Sequence, residues 1–502
     1  MKKPAGRAEI MSGLFWKLME RGGGQSVQFV VQVILARLLL PEDYGTLAIV
    51  VVFTQLANVF VVGGLNSSLI QKKEADDLDY SSVFWAGLAV AGLFYVLLLI
   101  ASPYVALFFR DPVLSPVLRV LALVLFLGAF RSVQTAIVSK SMEFKKLFYS
   151  SVGATVISGA AGISAAYLGY GVWALVIQQL TASFFLSGIL WFMVKWRPAR
   201  AFSWVRLKGL FSFGWRLMAS SLLGVLYNDL RTLVIGRLFA VDILGYYNRG
   251  RQFPALMVQN LDGSIQAVMF PALSGYQHNV ERMRSMMRRT IITSAFLIFP
   301  MMAGMAVIAE PMVIVVLTDT WLPSVPFLRI FCATYALQPI HGANLQAIKA
   351  LGRSDVFLKL ELIKRSLSVM ILVFTIPYGV YAIVWGGLVA ALIGSFINAY
   401  PNRSLLNYRY EEQLKDVLPS LLLSLLMAAL VYAAGYLPLT TAGTLFVQIS
   451  LGISIYFGLA YALKLESFRY LLHAIRTRGQ DETVPAAGKE KEEDGQQEKE
   501  DR

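Results

Sequence analysis

The residues able to do chemistry fall into stripes. Lys17, Arg21, Gln25, Gln28 and Gln32 recur at steps of four, four, three and four. At about 100° per residue, this spacing gathers them within roughly an 80° arc of one helix. Two cations followed by three amides suit an oxyanion and then hydroxyl groups. A solvated surface helix could carry the same stripe. Residues 27–40, however, are almost wholly apolar and need lipid or protein on their other faces. Glycines at 22–24 interrupt this helix and admit either a hinge or close packing.

Shifting the stripe by 199 positions gives Arg216, Ser220, Gly224, Tyr227 and Arg231, again polar or small with cations at both ends. Arg131 and His341 correspond at a shift of 210. A charge at mid-membrane costs about 3 kcal/mol or more, so such residues need a reason. The expected cavity set is Lys17, Arg21, Gln25, Gln28, Gln32, Arg131, Arg216, Tyr227, Arg231 and His341. Asp229 and Asp262 are candidates for coupling transport to a proton or sodium gradient, because neutralising a membrane acid changes the cost of burying it. Each acid could instead pair with an Arg. Asp229 and Arg231, two apart, do not share a helix face, so a partner would come from another helix. One cysteine, Cys332, and three histidines speak against a metal centre, and no catalytic residue or cofactor is expected. Without a GxxxxGK[ST] segment, direct ATP drive is not expected either.

The elements that must position these residues are membrane spans. Of 502 residues, 57% are hydrophobic and 15% charged, against about a quarter charged in soluble proteins. Mean hydropathy is +0.60. Runs near the roughly 20 residues a bilayer requires are predicted at 13–39, 44–69, 81–108, 117–138, 148–168, 171–194, 210–239, 252–273, 290–316, 326–350, 357–377, 379–400, 416–436 and 442–463. With the N-terminus inside, 31 of the 45 Lys and Arg fall in inside segments. The outside loops hold Arg110, Arg249 and Arg251. Both termini are therefore expected in the cytoplasm. The net charge of +14 reflects topology, and no nucleic-acid partner is expected.

Five further matches run in order along the chain. Trp16-Lys17-Leu18-Met19 recurs as Trp215-Arg216-Leu217-Met218. Arg37-Leu38 with Gly45 recurs as Arg237-Leu238 with Gly245. Pro103 and Asp111 match Pro311 and Asp319, Pro116 to Arg119 match Pro326 to Arg329, and Gly171 to Ala174 match Gly379 to Ala382. Spans one to six thus repeat as seven to twelve. Six is even, so the repeats are parallel, an alternating-access layout. The expected organisation is a first lobe at 1–194, a cytoplasmic linker at 195–209, a second lobe at 210–405, an appended helix pair at 406–465 and a charged tail at 466–502, disordered from 479 onward.

The phrase Ala36-Arg37-Leu38-Leu39-Leu40-Pro41-Glu42-Asp43-Tyr44-Gly45, with Pro116 to Ala122 and Gly169 to Val176, resembles the polysaccharide transporter family. This family includes Wzx-type flippases and the colanic-acid and teichuronic-acid export proteins. The resemblance implies an all-α polytopic membrane protein of about fourteen transmembrane helices with the MOP/MATE-like fold: two parallel six-helix repeats plus an appended helix pair. It also implies flipping of undecaprenyl-pyrophosphate-linked oligosaccharide repeat units across the bacterial cytoplasmic membrane. The implied partners are that polyprenyl-linked glycan, membrane lipid and other polysaccharide-assembly proteins. Three rivals were weighed: a lipid II flippase with similar electrostatics, a MATE-like exporter that would want an acidic cavity, and a membrane glycan polymerase or ligase that would want a large outside loop.

The charge rule makes a direct prediction. In a Cys332→Ser background, a cysteine at Leu437 reacts with an impermeant maleimide from outside, and one at Ser354 only after the membrane is opened. The opposite pattern in intact cells would invert the topology.

Overall fold

The computed structural model describes residues 7–72 and 75–470, and their regular structure is entirely helical. In order the helices are α1 (Arg7–Leu38), α2 (Pro41–Val62), α3 (Leu65–Gln71), α4 (Asp77–Phe109), α5 (Leu114–Leu121), α6 (Val124–Lys140), α7 (Phe144–Tyr167), α8 (Val172–Met193), α9 (Trp204–Leu238) and α10 (Val241–Ser274). They continue as α11 (Val280–Val307), α12 (Ala309–Val316), α13 (Val325–Ala336), α14 (Gln338–Ala350), α15 (Ser354–Thr375), α16 (Val380–Ala399), α17 (Asn402–Leu405), α18 (Tyr410–Ala434) and α19 (Thr441–Ala462).

Every predicted span has a helical counterpart, although several are broken in two. Spans four and ten, which correspond in the repeat, are both split, into α5/α6 and α13/α14. Nine stretches of the described residues are long and apolar enough to cross a membrane, ten if Trp204–Ser212 and Gly214–Leu238 count as one bent span. The others, including α1, α10 and α15, carry the polar stripes, which lower their hydropathy. Helix starts follow local chemistry. Pro41 opens α2, and the Leu40 N–H donates to the Asp43 carboxylate at 3.0 Å. Asp76 and Asp79 exchange backbone bonds of 2.9 and 3.1 Å at the start of α4. α1 runs unbroken through its glycines, and Gly23 packs against Phe148 of α7.

Packing divides the chain into two compact units. The first gathers residues up to Ala255 with Ala309–Phe331 and Arg365–Ala390; the second gathers Leu256–Ile308, Cys332–Lys364 and the chain from Ala391. This grouping cuts across the lobes drawn along the sequence, since α9 and the linker pack with the first repeat. The charged tail from 479 lies outside the described residues.

In the first unit, the two repeats interlock at the end expected outside. A Cβ at Gly45 would overlap the Val241 carbonyl oxygen, and one at Gly245 would overlap the Pro41 carbonyl oxygen. The contact is reciprocal at the shift of 200, so the starts of α2 and α10 touch backbone to backbone. Nearby, Arg37 donates through Nε to the Val316 carbonyl at 2.9 Å and through Nη2 to the Val315 carbonyl. It thereby satisfies the open carbonyls at the end of α12. Trp321 Nε1 donates to the Ala36 carbonyl at 2.7 Å. Leu114, Leu118, Leu121 and Leu125 share an apolar core with Ile49, Leu244, Tyr247 and Phe327.

The linker is fastened at the other end. The Ala199 and Ser203 amides donate to the Ser81 and Ser82 hydroxyls at 3.0 and 2.9 Å. Trp85 Nε1 donates to the Ala199 carbonyl at 2.9 Å. Arg206 lies 3.2 Å from Asp76 and 3.7 Å from the buried Asp79, which also meets Lys72 at 2.5 Å.

In the second unit, α11 packs along α18 through Met283, Met287, Ile291 and Ala295. The appended pair is joined to the repeat by a buried amide network. Asn344 Nδ2 donates to Gln413 Oε1 at 2.7 Å, and Asn402 Nδ2 donates to Asn344 Oδ1 at 2.7 Å. Arg288 bridges Asp416 and Glu466 at 2.9 and 3.0 Å.

The reciprocal contact predicts unequal tolerance among glycines. Gly45→Val or Gly245→Val should abolish accumulation of folded protein, whereas Gly188→Ala, with open space around it, should leave the thermal melting temperature within a few degrees. Normal melting of both valine variants would contradict the interlock.

Candidate functional site

Helix α1 presents its stripe between two packed edges. Gly23, Gly24 and Val31 face α7, and Phe29 meets Phe253 edge to face at 6.0 Å. Gln25 is exposed, and Gln28 and Gln32 are half-buried in the strip between. Lys17 and Arg21 lie on the same helix; their side chains fall outside the described residues.

Helix α9 carries the second stripe. Arg216 is exposed, its guanidinium 5.9 Å from the Trp215 ring. Tyr227 lies under the Arg365 guanidinium at 5.3 Å. Arg231 donates through Nη2 to the buried Ser368 hydroxyl of α15 at 2.8 Å. Its Nε is buried without a partner beside Gly387 of α16, where a Cβ would stand 3.8 Å away. No acid pairs with Arg231 among the described residues. Asp229, on another face, lies in the field of Arg251 of α10.

Arg131 of α6 is half-buried within its span. Among the described residues its guanidinium has neither an ion pair nor a hydrogen bond. The charge is therefore uncompensated by protein, a costly arrangement inside a membrane.

The second unit holds the remaining candidates. Asp262 of α10 accepts from Gln338 Nε2 of α14 at 3.0 Å and from Gln266 Nε2 one turn further on. Gln346 Nε2 extends this amide ladder to Gln266 Oε1 at 2.6 Å. Gly342, between Gln338 and Gln346 on the same face, makes room for the carboxylate; a Cβ there would come within 2.8 Å of Oδ1. The partners of Asp262 are thus neutral donors. His341 is held at both ring nitrogens: Nε2 lies 3.0 Å from the Ala391 carbonyl and Nδ1 lies 2.9 Å from Asn398 Nδ2. That pair of bonds describes a fastened core histidine joining α14 to α16.

One cluster was not anticipated. Arg249 was expected in an outside loop. It lies instead on α10, buried, stacked 4.2 Å from the Tyr44 ring and 5.0 Å from the Trp321 ring, with Nη1 donating to Gln252 at 2.6 Å. Arg251 lies on the same helix. The polar run at 248–252 reads as loop because its partners are remote in sequence. The signal was the repeat, since α10 begins at Val241 as α2 begins at Pro41.

Comparison with known proteins places this geometry. The family described as polysaccharide biosynthesis protein matches residues 34–326. The succinoglycan biosynthesis transport protein ExoT of Rhizobium meliloti (strain 1021) is 24% identical over 378 residues, 75% of this chain and 75% of that protein. The teichuronic acid biosynthesis protein TuaB of Bacillus subtilis (strain 168) is 25% identical over 358 residues, 70% of this chain and 74% of that one. A solved structure of the lipid II flippase MurJ, in an inward closed conformation, superimposes with a TM-score of 0.73. It is 15% identical and covers 92% of this chain and 100% of that one. This likeness concerns the fold, which is the all-α polytopic fold of the MOP superfamily.

Stability measurements should separate fastened from unfastened residues. His341→Ala, which leaves buried partners unpaired, should cost about 1–3 kcal/mol. Arg131→Ala removes an unpaired charge and should leave thermal stability unchanged or raised. A large destabilisation by Arg131→Ala would reveal a structural role.

Proposed function

The chain belongs to the polysaccharide biosynthesis protein family, and from that premise we propose that it is a flippase for an undecaprenyl-pyrophosphate-linked oligosaccharide repeat unit. The cargo crosses the cytoplasmic membrane by alternating access, and both termini stay in the cytoplasm. The single observation that carries the cargo class is the pair Arg131 and Arg231. Both are guanidiniums within spans, and neither has an acid partner among the described residues. Arg offers a fork suited to phosphate oxygens, and low-dielectric surroundings strengthen its pull on an anion.

Lys17, Arg21 and Arg216, nearest the inner ends of their helices, meet the pyrophosphate first. Arg131 and Arg231 then hold it, with Ser368 fixing one edge of the Arg231 guanidinium and leaving Nε for the ligand. Gln25, Gln28, Gln32 and Tyr227 offer hydrogen bonds and a ring face to sugar hydroxyls. His341, engaged at both nitrogens, acts by joining helices. The interlock of the repeats at the outer end supports reading this conformation as closed to the outside.

Asp262 is the stronger coupling group. Its neutral amide partners leave its charge free to be cancelled by a proton or sodium ion, and binding either would alter the cost of keeping it in the membrane. Asp229, in the field of Arg251, is better suited to a structural pair.

The test measures exposure of the lipid-linked repeat unit to an impermeant glycosidase in oriented vesicles. Arg131→Ala and Arg231→Ala should each lower the rate at least tenfold at normal protein level, and Lys at either position should restore part of it. Wild-type rates in both alanine variants would dismiss the cargo assignment. Asp262→Asn should change the dependence of the rate on the proton or sodium gradient, and an unaltered dependence removes Asp262 from coupling.

A further inference from the structure

Two apolar pockets lie along one seam of the first unit, and both are lined by α2, α4 and α9. The pocket toward the expected outer end has a volume of about 690 Å³ and is walled by Phe53, Tyr104, Phe108 and Leu233. The other, of about 540 Å³, is walled by Phe60, Trp85, Trp204 and Phe211. Each has one charged residue in its lining, Arg237 in the first and Lys208 in the second. The two cations are 29 positions apart on α9. That is about 43 Å of helical path, enough to reach both headgroup layers of a bilayer about 40–45 Å thick.

Neither cation is engaged in protein structure. Among the described residues Lys208 has no ion pair or hydrogen bond. Arg237 rests 5.0 Å over the Phe108 ring and donates no hydrogen bond. Its repeat counterpart provides the contrast: Arg37 gives its guanidinium to the carbonyls of Val315 and Val316. The residue matching Val316 at the shift of 208 is Phe108, so Arg237 occupies the corresponding place without the corresponding bonds. A large exposed apolar surface under a free cation suits an amphiphile with hydrocarbon chains and an anionic head. Trp85 and Trp204 at the inner pocket fit the interfacial position that tryptophan prefers.

We propose that the seam between α2, α4 and α9 holds two anionic phospholipids of the bilayer, one per leaflet. The phosphate of one meets Arg237 and that of the other meets Lys208, with acyl chains in the apolar pockets. A bilayer phospholipid is favoured over the lipid-linked cargo because each pocket offers a single cation, suited to one phosphate rather than a pyrophosphate. The pockets are also separate, each confined to one half of the membrane. The assignment does not depend on the identity of the cargo.

The test is native mass spectrometry of the full chain released from vesicles containing phosphatidylglycerol and phosphatidylcholine. Two phosphatidylglycerols should remain per chain. Arg237→Ala and Lys208→Ala should each lose one, and the double variant both. Arg237→Lys should keep its lipid, and melting temperatures should stay near wild type because no protein partner is lost. Retention of both lipids by the double variant, or equal retention of phosphatidylcholine, overturns the proposal. Displacement of phosphatidylglycerol by an equal amount of undecaprenyl phosphate overturns it in favour of a polyprenyl-lipid site.

Discussion

The fold depends on one close approach: the starts of α2 and α10 meet where Gly45 faces the Val241 carbonyl and Gly245 faces the Pro41 carbonyl. A side chain at either glycine would separate the backbones, so packing of the surrounding residues depends on the absence of two Cβ atoms. Arg37, Trp321 and Arg249 form their bonds and stacks around this contact, and Ile49, Leu244 and Phe327 close the core beneath it. Because the contact is reciprocal, it joins the two repeats on equal terms. It concentrates their attachment at one end of the bundle and leaves the stripes of α1 and α9 along helices that extend away from it.

Within this frame, charges sort into two kinds. Arg37, Arg206 and Arg288 are engaged by carbonyls or carboxylates, at helix ends where the membrane gives way to headgroups and water. Arg249 is buried yet covered by two aromatic rings. Arg131 and Arg231 differ because they lie within spans and lack acids. The same division separates the polar groups of the second unit. Asn344, Asn402 and Gln413 satisfy one another, whereas Asp262 keeps a full carboxylate among neutral amides. Groups that complete their bonding inside the protein hold helices together; those that do not are available to a ligand or an ion.

Much of this was legible in the sequence because membrane spans and duplications leave periodic traces. All fourteen spans have helical counterparts, and the shift of 200 relating Gly45 to Gly245 anticipated a pair that proved to touch. The breaks in spans four and ten were not legible, since apolar runs continue straight through them. Arg249 was misplaced because its aromatic partners lie far along the chain, at Tyr44 and Trp321. The same distance hid the amide ladder on Asp262, where Gln338 is 76 residues away. His341 looked like a cavity residue from its face of polar neighbours; only the positions of Ala391 and Asn398 show both its nitrogens engaged.

The segment at 195–209 began as the joint between two copies of a duplicated unit. Its amides now bond to Ser81 and Ser82, and its Arg206 pairs with acids at the start of α4. The seam of the ancestral fusion has become part of the first copy's fold. The two halves are therefore no longer interchangeable modules. A gene cut at this joint would not return two self-sufficient ancestors, because the first half would lose a partner for α4 and the second would lose the anchor of its leading helix. Duplication supplied the symmetry, and the joint is where the symmetry was given up.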